Sequence, residues 1–235
     1  IAEGWLAHFS RGLGEDCVAF ACPLLGGDTT KTPGPLSISI TAIGKVPSGK
    51  MVRRAGAKPG DLVAVSGTIG DAALALEMKK RLASGGLGDL DKTQAAYLMQ
   101  RYRMPEPRLA LARLLREFAH AAMDISDGLA GDLAKLAQAS GVAATIETAK
   151  VPLSNPAHDA IAGETGLLAA ALTGGDDYEV LCAIPGSRFA AFAEAAGKAG
   201  VPVTAIGSFA AGEGVSVVGP VGQELSFEKA SFSHF

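Results

Sequence analysis

Short apolar runs alternate with longer helix-like segments through most of this sequence, and this alternation restricts the fold more than any other feature. Short runs bounded by glycine or polar residues predict strands, whereas apolar residues at helical spacing predict helices. Predicted strands lie at Leu62–Ser66, Ala121–Ile125, Ala143–Glu147, Glu179–Ile184, Val203–Ile206 and Val215–Val218. Predicted helices lie at Ile1–Phe20, Asp71–Leu82, Lys92–Arg101, Pro107–Phe118, Asp127–Ala139, a segment ending at Leu172, and Ser187–Ala199. The alternation predicts a mixed α/β domain.

The first part of the chain has a different pattern and ends in a hinge rich in glycine and proline. Two strands are predicted there, Pro23–Leu25 and Leu36–Val46. The hinge, AGAKPGD at Ala55–Asp61, is the best candidate for a domain boundary, because glycine and proline interrupt regular structure. We therefore predict two domains, residues 1–54 and residues 55–235.

Charge and hydropathy exclude several classes of partner. The 21 basic and 24 acidic side chains give a net charge of -3, without a block of lysine and arginine that would follow a nucleic-acid backbone. No apolar stretch reaches the length of a membrane span, and the sequence does not open with a secretory signal pattern. We expect a cytoplasmic protein that binds neither nucleic acid nor membrane.

Three short acidic clusters each stand where an apolar run meets glycine or a helix start. They are GGDTT at Gly26–Thr30, DISDG at Asp124–Gly128 and GGDDYE at Gly174–Glu179. Carboxylates repel phosphate, but they hold divalent cations that bridge phosphate oxygens. The three clusters together predict a magnesium-nucleotide site and phosphoryl transfer.

Each cluster also has an ordinary structural interpretation. In DISDG, Ser126 stands where an N-cap would and Asp127 opens the predicted helix, so simple capping explains the motif as well as cation binding does. GGDTT is equally typical of a polar hairpin loop. The three acids of GGDDYE repel one another unless they are solvated or neutralised by cations. Their recurrence at three places favours a shared site.

Other candidate motifs are weaker. GKVPSGKM at Gly44–Met51 resembles a phosphate-binding loop, but Met51 stands where serine or threonine would bind magnesium. Arg53 and Arg54 precede the hinge and can reach a phosphate, although most such pairs are surface charge. The four histidines are scattered, which disfavours a triad hydrolase.

The sequence resembles the thiamine-monophosphate kinases at GGDTT, VPSGKMVRRAGAKPGD, DISDG, GGDDYE and the closing SFSHF, which occur in the family order. The resemblance implies a two-domain architecture like that of aminoimidazole-ribonucleotide synthetase, with mixed sheets, packed helices and a homodimer formed through the N-terminal domains. It also implies transfer of the γ-phosphoryl group of ATP to thiamine monophosphate, with Mg²⁺.

The resemblance assigns roles to individual residues. It implies that Asp28, Asp124 and Asp127 ligate magnesium, that Gly27 with Asp28, Arg54 and Ser126 contact the nucleotide, and that Asp176 and Phe232 contact the thiamine substrate. Asp176 replaces a residue that is often glutamate in the family, and Ser231 replaces a glycine beside Phe232. No general base is expected, because a phosphate nucleophile is already ionised.

A GDDCA-like loop of the family is not found in this sequence. We therefore expect an incomplete N-terminal domain and a chain that is inactive alone. Two alternatives stay open. One is another ATP-dependent enzyme of the superfamily, a synthetase or a hydrogenase-maturation dehydratase, and the other is a non-catalytic nucleotide-binding module.

Overall fold

The computed structural model describes residues 1–81 and 90–227. The chain divides into two compact units, Ile1–Ser48 and Gly49–Phe235. Among the described residues, no helix combines the length and the apolar character needed to cross a membrane.

The first unit contains one helix, α1, at Glu3–Ala19, which confirms the predicted N-terminal helix. The rings of Trp5 and Phe9 stack on its surface with centroids 5.3 Å apart. The two strands predicted at Pro23–Leu25 and Leu36–Val46 are wrong, because neither segment forms a described strand. Alternating apolar residues form a strand only where another strand supplies the hydrogen bonds, and no described residue pairs with these segments.

The second unit is built on one seven-stranded sheet. Its strands are β1 (Asp61–Ser66), β2 (Ala121–Ile125), β3 (Ala143–Glu147), β4 (Glu179–Pro185), β5 (Val203–Ala210), β6 (Val215–Val218) and β7 (Glu224–Leu225). Their order across the sheet is β2-β4-β1-β5-β3-β6-β7. All neighbouring strands are antiparallel except β3 and β6, which are parallel. This mixed sheet with packed helices confirms the predicted α/β fold class.

Seven helices accompany the sheet within the described residues: α2 (Asp71–Lys80), α3 (Lys92–Arg103), α4 (Ala112–Phe118), α5 (Leu129–Ser140), α6 (Asn155–Gly163), α7 (Leu167–Thr173) and α8 (Phe189–Lys198). Short 3-10 turns precede α4 and α8, which shortens both helices relative to their predicted starts. Helix α3 begins with a capping box, in which Asp91 accepts from the first turn and Gln94 reaches back to the Asp91 N–H.

Helices cover both faces of the sheet. Val63 and Val65 of β1 pack in the same cluster as Leu133 of α5, whereas Ala64 between them packs with Phe192 of α8. Successive side chains of a strand point to opposite faces, so α5 and α8 lie on opposite sides of β1. Helices α2, α3, α6 and α7 share a further buried cluster that includes Leu74, Leu98, Ala157 and Leu167. The strands and helices predicted beyond residue 60 are therefore largely confirmed.

Candidate functional site

Strands β2 and β4 bring the DISDG and GGDDYE segments side by side. Ile125, the last residue of β2, pairs with Glu179, the first residue of β4. Beyond this pair, the Asp176 N–H donates to the carbonyl oxygen of Ser126 at 2.9 Å and the Tyr178 N–H donates to the carbonyl oxygen of Ile125 at 2.8 Å. The fold thus assembles two acidic segments that are about fifty residues apart in sequence at one edge of the sheet.

Gly175 makes this close approach possible. A Cβ atom on Gly175 would lie 2.2 Å from the carbonyl oxygen of Ser126. Any side chain here would push the two segments apart.

The start of α5 differs from the prediction. The helix begins at Leu129 with Gly128 at its N-cap position, in a backbone conformation (φ 113°) that favours glycine. The prediction that Ser126 is an N-cap and that Asp127 opens the helix is therefore wrong. Instead, the buried Asp132 carboxylate accepts from the N–H groups of Ser126 at 3.0 Å and Asp127 at 2.9 Å. Asp132 thus orders the backbone that precedes α5.

The side chains of DISDG have different partners. Asp127 and Asp132 both accept from Lys135 Nζ, at 2.5 Å and 2.9 Å. Partial burial acts to lower the pKa of Lys135, but the hydrogen bonds to Asp127 and Asp132 and the charge of these carboxylates together raise it above its ordinary value. Asp124 is exposed on β2, and no described residue forms a hydrogen bond or ion pair with its carboxylate. Asp124 is therefore open to an external cation.

Two acids of GGDDYE are buried and are neutralised by the protein itself. Asp177 is 2% exposed and accepts from the N–H groups of Gly70 at 2.8 Å and Ala72 at 3.4 Å, at the start of α2. Burial raises the pKa of Asp177 to about 8, against the opposing effect of these hydrogen bonds. The expected repulsion within this cluster is thus relieved partly by burying one carboxyl at a helix N-terminus.

Glu179 is bound by two arginines. Its carboxylate accepts from Arg108 at 2.5 Å and 2.8 Å, from Arg101 Nη2 at 2.8 Å, and from the hydroxyl of Ser66 at 2.5 Å. Arg101 also approaches the buried carboxylate of Asp71, at 3.5 Å. Sequence reasoning missed both arginines. A glutamate that opens a buried strand implies a cationic partner, but nothing in the sequence spacing identifies which arginines supply it.

The other two polar residues of GGDDYE are less buried, since Asp176 is half-buried and Tyr178 is exposed. Asp176 and Tyr178 both have positive φ angles, 72° and 51°, which are unusual for residues other than glycine. The Tyr178 hydroxyl donates to Asp176 at 3.3 Å. Burial raises the pKa of Tyr178, and the carboxylates of Asp176, Asp124 and Asp127 raise it further. The phenol therefore lies within the field of the carboxylates at this sheet edge.

The remaining predicted site residues lie elsewhere. Gly27 and Asp28 belong to the first unit, where the Asp28 carboxylate accepts from the Thr29 N–H at 2.8 Å. Arg54 is exposed, and the carbonyl of its neighbour Arg53 accepts from the Ala122 N–H of β2 at 3.0 Å. Phe232 lies outside the described residues.

The donor chemistry at this edge fits Mg²⁺. Asp124 and Asp127 offer hard carboxylate oxygens, and Mg²⁺ characteristically binds one or two protein carboxylates while keeping water and phosphate ligands. Within residues 1–81 and 90–227, no three acidic, histidine or cysteine side chains converge closely enough to hold a metal by themselves. The edge therefore suits a cation shared between protein and phosphate.

Two family models match the chain. Residues 2–46 match the N-terminal domain of AIR synthase related proteins, and residues 58–220 match the C-terminal domain. The chain thus belongs to the AIR synthase related proteins.

Similar proteins from several bacteria are thiamine-monophosphate kinases. The Caulobacter vibrioides protein is 44% identical over 216 residues, covering 88% of this chain and 58% of the relative. The Salmonella typhimurium protein is 37% identical over 237 residues, covering 100% of this chain and 70% of the relative. The chain belongs to the thiamine-monophosphate kinase family, and it spans 58–70% of the length of these two relatives.

Solved structures agree with this assignment. Thiamine monophosphate kinase from Aquifex aeolicus superposes with a TM-score of 0.75 at 30% identity, over 96% of this chain and 70% of that one. The structure of AaThiL complexed with AMPPCP and TMP superposes with a TM-score of 0.62 at 34% identity, over 78% of this chain and 54% of that one.

Proposed function

We propose that the protein carrying this chain transfers the γ-phosphoryl group of ATP directly to the phosphate of thiamine monophosphate, forming thiamine diphosphate. The observation that carries the proposal is the junction of DISDG and GGDDYE at one sheet edge. A family relative binds AMPPCP, an ATP analogue, together with TMP, and this supports the same pair of substrates here.

The residues at this sheet edge would bind the cation and the nucleotide rather than react with them. Asp124 and Asp127 would hold Mg²⁺, which screens the charge of the reacting phosphates. By the family resemblance, Asp28 would also be a magnesium ligand. Gly27, Asp28, Arg54 and Ser126 would contact the nucleotide. Lys135 holds one oxygen of Asp127, and this contact orients the carboxylate. No general base is assigned, because the attacking phosphate is ionised at neutral pH.

Asp176 and Phe232 would bind the thiamine substrate. Asp176 lies one hydrogen bond from the Ser126 backbone, so acceptor and nucleotide would meet across the β2–β4 junction. Holding both reactants in one geometry removes much of the entropic barrier to transfer.

The proposal extends to the organisation of the protein. Residues 1–54 would belong to the N-terminal domain that binds ATP and magnesium, and residues 55–235 would form the C-terminal α/β domain. This boundary lies between the two ranges that the family models match. The protein would act in the cytoplasm as a homodimer that assembles through its N-terminal domains.

The test of this function is a turnover assay of the full-length protein that carries this chain, with ATP, Mg²⁺ and thiamine monophosphate and with detection of thiamine diphosphate. We expect Asp124→Asn to lower kcat about a hundredfold or more, because it removes an anionic magnesium ligand at the reacting centre. The free energy of unfolding is expected to stay unchanged, since Asp124 is exposed and unpaired among the described residues.

Glu213→Gln is the matched control, because Glu213 is an exposed acid with no described partner, away from this edge. It is expected to retain full activity. Near-normal turnover of Asp124→Asn at saturating Mg²⁺ would remove this residue from the metal site. Absence of thiamine diphosphate with the unaltered protein would contradict the function itself.

A further inference from the structure

The loop 174–178 holds an unusual pair of strained residues. Left-handed backbone at a residue other than glycine costs energy and persists only where the surroundings impose it. Here two such residues, Asp176 and Tyr178, flank a single buried residue, Asp177. Strain of this kind concentrates at functional sites.

The surroundings fix this loop at four points. Asp177 is bonded to the start of α2, and Glu179 is bonded to Arg101 and Arg108. The backbone N–H groups of Asp176 and Tyr178 are bonded to the end of β2. The anchored side chains of Asp177 and Glu179 point inward, so the side chain of Tyr178 between them is directed outward.

The result is an aromatic ring displayed beside carboxylates. Tyr178 is 42% exposed although Asp177 and Glu179 on either side of it are buried. Its hydroxyl is tethered to Asp176, and Asp124 and Asp127 lie near enough to act on it electrostatically. A ring face surrounded by negative charge attracts a flat cation by cation–π and Coulomb forces together.

We propose that Tyr178 is a substrate-binding residue whose ring face receives the cationic heteroaromatic ring of the phosphoryl acceptor, the thiazolium of thiamine monophosphate. This inference rests on the proposed function and adds a recognition element for the acceptor. The thiazolium nitrogen is quaternary and has no proton to donate, so the ring face and the negative charge of nearby carboxylates suit it better than a neutral hydrogen-bond acceptor does. The adenine of ATP is neutral, so Tyr178 would not contribute to nucleotide affinity in the same way.

The charge dependence can be measured with two small probes. Hydroxyethylthiazole phosphate has a neutral ring, and its N-methyl derivative is the corresponding thiazolium. We expect the full chain to bind the thiazolium about tenfold more tightly in calorimetric titrations, and Tyr178→Leu to abolish this preference. Tyr178→Phe, which keeps the ring and loses only the hydroxyl, should retain it. ATP affinity should be equal in all three proteins.

A glycine substitution separates binding from folding. Tyr178→Gly removes the ring and also relieves the left-handed backbone, so its unfolding midpoint should not fall below that of Tyr178→Leu. If the ring had only a structural role, Tyr178→Gly and Tyr178→Leu would both lower stability, and both would keep the preference for the thiazolium probe over the neutral one.

The outcomes are distinct. Equal affinity of the unaltered chain for the two probes, or an undiminished thiazolium preference in Tyr178→Leu, would overturn the inference whatever the kinase assay shows. Loss of the preference in Tyr178→Leu with retention in Tyr178→Phe would support it. The proposed function is decided separately, by formation of thiamine diphosphate in the unaltered protein.

Discussion

At the scale of single residues, neighbouring acids of one motif have opposite environments. Asp177 and Glu179 are buried and bonded to protein groups, whereas Asp176, which precedes them in the same motif, is only half-buried and is bonded to the exposed Tyr178. The difference follows from the partners of each carboxylate. Asp177 accepts from two backbone N–H groups, and Glu179 is bound by two arginines. Burial without full charge compensation leaves Asp177 with a pKa of about 8.

This shift predicts a pH dependence of stability. The folded protein holds the Asp177 proton up to about pH 8, whereas the unfolded chain releases it near the ordinary pKa of 3.8. Between these values the folded state binds more protons, so raising the pH lowers the free energy of unfolding. We expect the stability of the wild type relative to Asp177→Asn to decrease between about pH 4 and about pH 8 in urea titrations.

The comparison with Asp177→Asn isolates this group, because the other titrating residues are common to both proteins. A constant difference across the range would mean that Asp177 is ionised in the folded state at neutral pH. The hydrogen bonds from Gly70 and Ala72 would then outweigh its burial.

At the scale of secondary structure, β5 lies between β1 and β3 in the sheet, and its pairing with β1 is irregular. Val63 pairs with Gly207 and Ala64 pairs with Ala205, so Ile206 is an extra residue on β5. This bulge turns the next residue, Gly207, toward β3, where an added Cβ would lie only 1.8 Å from the Thr145 carbonyl oxygen.

Gly207→Ala is therefore expected to force β3 and β5 apart and to lower the free energy of unfolding by roughly 2–4 kcal/mol. Gly197→Ala in α8 is the matched control, because nothing lies within 4 Å of its added Cβ. That substitution should raise stability by up to about 1 kcal/mol, since alanine favours helix. Equal effects in chemical denaturation would show that the sheet absorbs the extra atom.

At the scale of the whole molecule, the two units differ in what they bury. Every buried cluster of the described residues lies in the second unit. The first unit has no buried residue, and it exposes a run of large apolar side chains, Leu24, Leu25, Leu36, Ile38, Ile40 and Ile43. Apolar patches of this kind mark surfaces that associate.

We expect residues 49–235 expressed alone to fold with the thermal midpoint of the full chain and to sediment as a monomer. The full chain should self-associate, because association would cover the exposed apolar residues of the first unit. Identical sedimentation of the two proteins would contradict the proposed assembly through the N-terminal domain. A large loss of thermal stability in residues 49–235 would show that the first unit contributes to the core.

The sequence predicted some elements well because their signals are local. Apolar residues at helical spacing predicted α1 and α3, and compact apolar runs predicted β2, β3 and β6, which have the predicted bounds. The run Leu36–Val46 has an equally clear alternating pattern but forms no described strand, because a strand requires partners that the pattern cannot supply.

By itself, the sequence determined the fold class, the family and the set of acidic segments, since hydropathy periodicity and short motifs are properties of neighbouring residues. Only the tertiary structure decided which carboxylates are free to bind a cation or a substrate. It buried Asp177 and Glu179 against α2, Arg101 and Arg108, placed Gly128 rather than Ser126 at the N-cap of α5, and left Tyr178 exposed beside Asp176. These outcomes depend on contacts between residues distant in sequence, and burial and pKa follow from those contacts rather than from residue type.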